Sequence, residues 1–183
     1  VKHIWHLHEI VLSPGWFVWM MGKIINRNSD KVLVVSQAVW DNWKDKVDEP
    51  KLVLLHNGID YRPYLETNTD IRNEIPNSEG KVLIGMIGRI NHWKGQGYFL
   101  EIAQSLVQTH QNVHFVIVGD AYPGTEHLVT EMEEKIKNSG LQTRVSYLGF
   151  RRDIPEILQA LDIFVLPSIL PDPFPTVILE AMA

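Results

Sequence analysis

The sequence contains no cysteine, which excludes disulfides, thiolate nucleophiles and cysteine-held metals. It has no Asn-x-Ser/Thr sequon either. Both absences suit a reducing cytoplasm, which is the compartment we expect. No apolar run reaches the length of a membrane span. An excess of one charge is also missing: 17 Lys and Arg against 22 Asp and Glu leave a net charge of -5, with no long block of either sign. A general nucleic-acid binder, which carries a basic face, is disfavoured on that ground. Gly-x-Gly-x-x-Gly and Gly-Lys-Ser/Thr do not occur, so the fingerprints of dinucleotide sites and P-loops are absent. Asp-x-Asp and His-Glu-x-x-His are absent as well, which argues against those two metal-dependent arrangements.

What is present is ordinary globular composition, with 183 residues of which 45% are hydrophobic and 21% charged. This is enough for one good core or two smaller ones. The chain opens at Val1 in a strand-like run and stops at Ala183 inside a helical pattern, so we expect an internal piece of a longer protein.

Residues 1–10 read as a strand ending in polar residues, broken by Ser13, Pro14 and Gly15. Residues 16–28 have helical length and are apolar nearly all round, which predicts a helix packed in a core, with a membrane-surface or partner contact as the alternative. Lys31–Val35 and Lys51–Leu55 are short buried strands, and between them Ser36 is placed to cap a helix running to about Asp45. His56-Asn57-Gly58-Ile59-Asp60 is a turn. The pattern then decays, and residues 63–80 are expected to be a linker between residues 1–62 and a second domain at residues 81–183.

In that second part strands and helices alternate. Val82–Ile87, Val113–Val118, Val145–Leu148 and Ile163–Leu166 read as strands. Helices are predicted at Gln96–Thr109, from a Thr125 cap to a stop at Gly140, from an Asp153 cap with Pro155 and Glu156, and from Thr176 onward. Continuous apolar strands alternating with helices predict an α/β fold with Rossmann-like parallel sheets and helices on both faces.

Ligands of open parallel sheets bind beyond the carboxyl ends of the strands. Those ends are Gly88-Arg89, Gly119-Asp120, Gly149-Phe150 and Pro167-Ser168. Arg89 and Lys94 stand on one loop before a helix N-terminus. That spacing fits a diphosphate grip of guanidinium fork, ammonium and helix dipole, and it equally fits two solvated loop cations. Asp172 and Glu180 bracket PFPTVIL and read either as acceptors for sugar or ribose hydroxyls or as ordinary helix charges. His6 and His8 share a face at the end of the first strand, a metal pair or a structural one.

In order, GRINHWKG, FVIVGD, VSYLGF, DIFVLPS and DPFPTVILEAMA resemble the C-terminal domain of family 4 (group 1) retaining glycosyltransferases of GT-B fold. KVLVVSQAV and KLVLLHNGID resemble the end of that family's N-terminal domain, so the resemblance implies a truncated two-domain GT-B architecture covering most of the chain. It implies transfer, with retention, of a sugar (hexosyltransferase-like) from a nucleotide-diphosphate donor to a glycan or lipid-linked acceptor in polysaccharide biosynthesis, with no metal and no other cofactor. Arg89 and Lys94 match the pair on the donor diphosphate, and Glu180 matches the residue on the ribose hydroxyls. Asp172 would face the transferred sugar, and His8 would lie near it. Phe174, Pro175 and Thr176 match the loop over sugar and phosphate, while Gly149 and Phe150 begin the loop beside the base and Gly88 ends the strand beneath. The resemblance also implies peripheral contact with the inner face of a membrane through the rest of the N-terminal domain.

Two departures stand out. Asp172 replaces the family's usual Glu, and Pro175 stands where Gly is common, removing one amide donor. They motivate a second reading, a catalytically silent nucleotide-sugar binder or scaffold; a third is an epimerase of the same GT-B architecture acting on a nucleotide sugar.

Overall fold

Lys31–Val34 is the middle strand of a three-stranded parallel sheet, and its two inward valines, Val32 and Val34, are wholly buried. In the computed structural model, which describes residues 1–66 and 70–183, the chain divides into two compact units. One comprises residues 1–59 with 171–176, the other residues 60–170 with 177–183.

The first unit carries β1 (Ile4–Leu7), α1 (Gly15–Asn28), β2 (Lys31–Val34), α2 (Gln37–Trp43) and β3 (Leu52–Leu54), with strand order β1-β2-β3. Ser36 caps α2 as expected, its hydroxyl accepting from the Val39 amide at 3.3 Å. α1 departs from the expected core helix. Val18, Gly22 and Ile25 are buried against Val32, Val39 and Trp43, whereas Trp16, Trp19, Met20 and Ile24 are exposed. The packed side sits close, since a Cβ on Gly22 would lie 2.7 Å from Lys46 Cβ.

The second unit carries α3 (Arg62–Leu65), β4 (Val82–Ile87), α4 (Gln96–Thr109), β5 (Val113–Val118), α5 (His127–Asn138), β6 (Val145–Tyr147), α6 (Ile154–Ala160), β7 (Ile163–Phe164) and α7 (Thr176–Met182). Its sheet is parallel, in the order β6-β5-β4-β7. Side chains of a strand alternate between faces. Ile84, Met86, Phe115 and Ile117 therefore meet α4 and α5 on one side, while Leu83, Ile87, Val116 and Val118 meet α6 on the other. Both faces are covered, which is why β4 and β5 read as unbroken apolar runs.

Three local expectations change. Residues 63–80 do not run as a free connection. Ile71 and Ile75, one helical turn apart, are buried with Leu83 and Ile157, and Arg72 donates to the Ala160 carbonyl at 2.9 Å. Part of the expected linker, residues 67–69, lies outside the described residues. Thr125 does not cap α5, because its hydroxyl donates to the Tyr122 carbonyl at 2.9 Å instead. Asp153 stands at the N-cap of α6 without capping it; its carboxylate takes the Arg151 guanidinium, at 2.8 Å from Nε, a charged bond that outcompetes an amide. The stop of α5 at Gly140 holds: Gly140 N donates to Lys137 O and Leu141 N to Ile136 O, the paired bonds of a Schellman motif.

One buried polar pair ties stability to pH. His114 on β5 is 0% exposed, with Nε2 2.9 Å from Ser146 Oγ, while Ser146 Oγ donates to the Pro76 carbonyl at 3.2 Å. The serine's single proton is thus committed, so Nε2–H is the donor and Nδ1 carries none. Burial, reinforced by Lys81 and Arg144, lowers the imidazole pKa from 6.5 to about 4. The unfolded chain therefore takes up this proton first. The stabilisation is whole above about pH 6.5 and is lost as pH falls toward 4, by up to about 1.4 kcal/mol per pH unit. Urea unfolding at pH 7 and pH 5 will show a larger loss for the wild type than for His114→Gln; equal slopes would refute this account.

Candidate active site

The loop from Gly88 to Gly95 is held by backbone bonds and by the carboxamides of Asn91 and Gln96. Gly88 N donates to Val118 O at 2.9 Å and Ile90 N to Asp120 O at 3.0 Å, so the loop stays fastened to the end of β5. The Asn91 carboxamide oxygen accepts from the amides of Trp93 (3.1 Å) and Lys94 (2.9 Å), a side chain mimicking a turn. Gln96, buried in the first turn of α4, donates to the Arg89 carbonyl at 2.7 Å. Across the point where strand order reverses, Ile169 N donates to Trp93 O at 2.8 Å. Gly95 lies so close to the chain after β7 that a Cβ there would be 2.0 Å from Pro167 O.

Arg89 and Lys94 project from this fixed frame. The Arg89 guanidinium carbon lies 3.5 Å from the Tyr122 ring centroid, a face-on cation–π contact. The Lys94 stem passes Gly88, its Cδ 3.8 Å from where a Cβ would stand on that glycine. Beside them is a hollow of about 440 Å³, lined among others by Gly88, Arg89, Asp120, Tyr122, Phe150 and Arg151. Its floor is the row of strand ends, where Gly119 N donates to Gly149 O at 2.9 Å. Arg151 on its rim is held by Asp153 and Glu74, whose carboxylates push its pKa further up. Burial raises the Tyr147 phenol to about 12, helped by Asp120 and Glu133, so it stays protonated beside Asp120. The second unit thus brings Gly88, Arg89, Lys94, Gly149 and Phe150 to one edge.

Glu180 lies on α7, half-buried, and burial raises its pKa. Its neighbour is Tyr64 of α3, whose phenol is raised first by its own burial and then by the charge of Glu180. Asp172, Phe174, Pro175 and Thr176, expected with the second domain, fall in the first unit. Phe174 stacks on His56 at 5.2 Å between centroids and 20° between planes, while His56 Nδ1 lies 2.9 Å from the Val35 carbonyl oxygen. His8, also in the first unit, has Nε2 3.3 Å from His6 Nδ1 and lines a hollow with Trp5, Phe17, Met21 and Trp43. Burial, then His8, lowers the His6 pKa. Among the described residues no group of three or more His, Asp or Glu gathers as a metal cage.

Sequence reasoning missed Tyr122, Tyr64 and His56. Tyr122 adjoins Pro123-Gly124, which reads only as a loop, and His56 precedes Asn57-Gly58, which reads only as a turn. A tyrosine two residues past the Gly119-Asp120 strand end was the one available signal for the first of them.

Residues 67–183 match the family model described as glycosyl transferases group 1. Over 157 residues the chain is 28% identical to the lipopolysaccharide core biosynthesis mannosyltransferase LpsB of Rhizobium meliloti, covering 84% of this chain and 42% of that protein. Over 162 residues it is 30% identical to the UDP-Gal:alpha-D-GlcNAc-diphosphoundecaprenol alpha-1,3-galactosyltransferase of Escherichia coli, covering 85% and 38%. Among solved structures it is similar to Anabaena HepE in complex with UDP (30% identity, TM-score 0.86) and with UDP-glucose (32%, 0.82). Each comparison covers 99% of this chain and 50% of that one. The chain thus spans about four-tenths of these two relatives and half of that structure. The likeness bears out the expected fold of Rossmann-like parallel sheets with flanking helices, shared with GT-B glycosyltransferases. With the match extending over all the second unit's strands and the loop that carries Arg89 and Lys94, the chain belongs to the group 1 glycosyl transferases.

Proposed function

We propose that the full protein is a retaining glycosyltransferase of family 4 that moves a sugar from a nucleotide-diphosphate donor to a glycan or lipid-linked acceptor without a metal. The observation that carries this reading is the loop from Gly88 to Gly95, whose backbone is fixed by its own hydrogen bonds while two cations project from it at the carboxyl edge of the sheet. The step that needs help is departure of the diphosphate, on which negative charge grows as the sugar–oxygen bond breaks. Fixed cations and the first turn of α4 stabilise that charge without reorganising. In this reading the hollow beside Phe150 takes the base and Glu180 accepts from the ribose hydroxyls.

The HepE complexes with UDP and UDP-glucose support a sugar nucleotide as donor. The E. coli relative, which by its name acts on a diphosphoundecaprenol-linked sugar, supports a lipid-linked acceptor. Full-length protein screened by thermal shift will be stabilised by nucleoside diphosphates and their sugars and not by nicotinamide dinucleotides. NMR of the product will show the donor's anomeric configuration kept. Binding of nicotinamide dinucleotides alone would overturn the reading, and an inverted product would remove retention. Pro175, which lacks an amide proton, favours one second reading, a silent sugar-nucleotide binder. Donor binding without transfer across a broad acceptor panel would establish that instead.

A further inference from the structure

Arg89 is held in a different way from its fellow arginines. Arg62 pairs with Asp60, Arg72 with Asp162, and Arg151 with Asp153 and Glu74. Among the described residues no acid pairs with Arg89. Its guanidinium carbon lies 3.5 Å from the centroid of the Tyr122 ring instead. At that separation the guanidinium plane must run along the ring, because an edge-on group would drive a nitrogen inside contact distance. Tyr122 is itself 53% exposed, so the ring does not fill a core. We infer that Tyr122 is a positioning residue for the donor chemistry: its ring fixes the plane of the Arg89 guanidinium without cancelling the charge. The inference rests on the reading of Arg89 as a contact of the donor diphosphate.

The two side chains meet because their loops are tied. Ile90 N donates to Asp120 O at 3.0 Å, which joins the residue after Arg89 to the loop after β5. Asp120 Oδ1 accepts from the Ala121 amide at 2.7 Å. The Tyr122 carbonyl accepts at 2.9 Å from both the amide and the hydroxyl of Thr125. Gly124, at φ 89°, closes the turn, and its amide donates to the Glu126 carboxylate at 3.0 and 2.9 Å. None of these bonds uses the phenol ring, so the turn keeps its shape whatever side chain stands at position 122.

A carboxylate in place of the ring would hold Arg89 as firmly and would also neutralise it. An incoming diphosphate would then break an ion pair and leave an acid beside its own charge. The negative face of the ring attracts the cation, while the N–H donors, all in the guanidinium plane, are left at its edge. That edge is what a phosphate takes two-pronged. A long side chain on an exposed loop otherwise loses rotamer freedom at every binding event. The stack removes much of that freedom before the donor arrives.

The test is a double-mutant cycle in the full-length protein. Release of nucleoside diphosphate from UDP-glucose, UDP-galactose and GDP-mannose is measured with water as acceptor, which reads departure of the diphosphate without a known acceptor. Tyr122→Leu will lower kcat about tenfold with little change in KM, and Tyr122→Phe will stay within about twofold of wild type. Tyr122→Glu will raise KM about tenfold or more, because it ties Arg89 up as an ion pair. In the Arg89→Ala background Tyr122→Leu will cost less than about twofold further, the ring having nothing left to position. All four variants will keep the wild-type thermal midpoint. The inference alone is overturned if Tyr122→Leu is as active as wild type, if it costs the same with and without Arg89 (the ring then acting by itself), if Tyr122→Glu matches Tyr122→Phe, or if activity falls together with the thermal midpoint. Wild type that releases nucleoside diphosphate from none of the three probes overturns the transferase reading and this inference with it.

Discussion

Arg89→Ala in the full-length protein will lower kcat/KM for sugar transfer by about 100- to 1,000-fold, and Lys94→Ala will do the same. The reason is differential. A fixed cation gains most where charge is growing, so its loss appears chiefly in kcat rather than in donor affinity. The fold will not be the casualty for Arg89. Its side chain is exposed, and the loop is pinned through Gly88 N, Ile90 N and the Gln96 carboxamide, none of which needs the guanidinium. Unfolding free energy should therefore change by less than about 0.5 kcal/mol, as for other surface truncations. Tyr122 refines the point: its ring lies against the Arg89 guanidinium, so Tyr122→Phe keeps the contact and Tyr122→Leu loses it. Activity of Arg89→Ala within about threefold of wild type would remove Arg89 from the machinery, whatever its contribution to binding.

The largest stability effect belongs to Gly119→Ala. At φ 136° the backbone suits glycine, and an added Cβ would lie 1.9 Å from the Gly88 carbonyl oxygen and 2.8 Å from its carbon. Those atoms are backbone, and both glycines are tied in: Gly88 N to Val118 O, Gly119 N to Gly149 O. Relief therefore means parting the ends of β4, β5 and β6 together. We expect a loss of at least about 3 kcal/mol, read by urea unfolding. Gly124→Ala is the control. It too has positive φ, at 89°, but an added Cβ meets nothing within 4 Å, so it carries the conformational cost alone, about 1 kcal/mol. Equal losses for the two variants would show that the close approach at Gly119 relaxes at no cost.

The sheet of the second unit was legible because β4 and β5 are buried on both faces, which leaves a continuous apolar signature that polar neighbours cannot blur. The loop of Arg89 and Lys94 was legible for a related reason: its position after β4 follows from strand order alone. What the sequence hid was set by the choice among competing partners, some of them near along the chain and some far. Asp153 resembles a cap until Arg151, two residues away, competes for its carboxylate, and Thr125 resembles one until the Tyr122 carbonyl offers a nearer acceptor. Ile71 and Ile75 sat in a stretch of Asn, Pro and mixed charge, and only the sheet they pack against makes them core. α1 was apolar on nearly every side in the sequence. The buried side is the one that carries Gly22, whose missing Cβ leaves room for Lys46. The placement of residues 171–176 with the first unit had no local signal at all.

Gly119 packs against one end of the Arg89 loop and Gly95 stands at the other, each within about 2 Å, by its absent Cβ, of a carbonyl oxygen (Gly88 O at 1.9 Å and Pro167 O at 2.0 Å). Neither can be exchanged piecemeal, because every single replacement must pass through a clash with backbone. The side chains around the hollow, Asp120, Tyr122, Phe150 and Arg151, face no such barrier. On the proposed reading, a change in the nucleobase accepted can therefore run through those walls, over a floor that sterics hold constant.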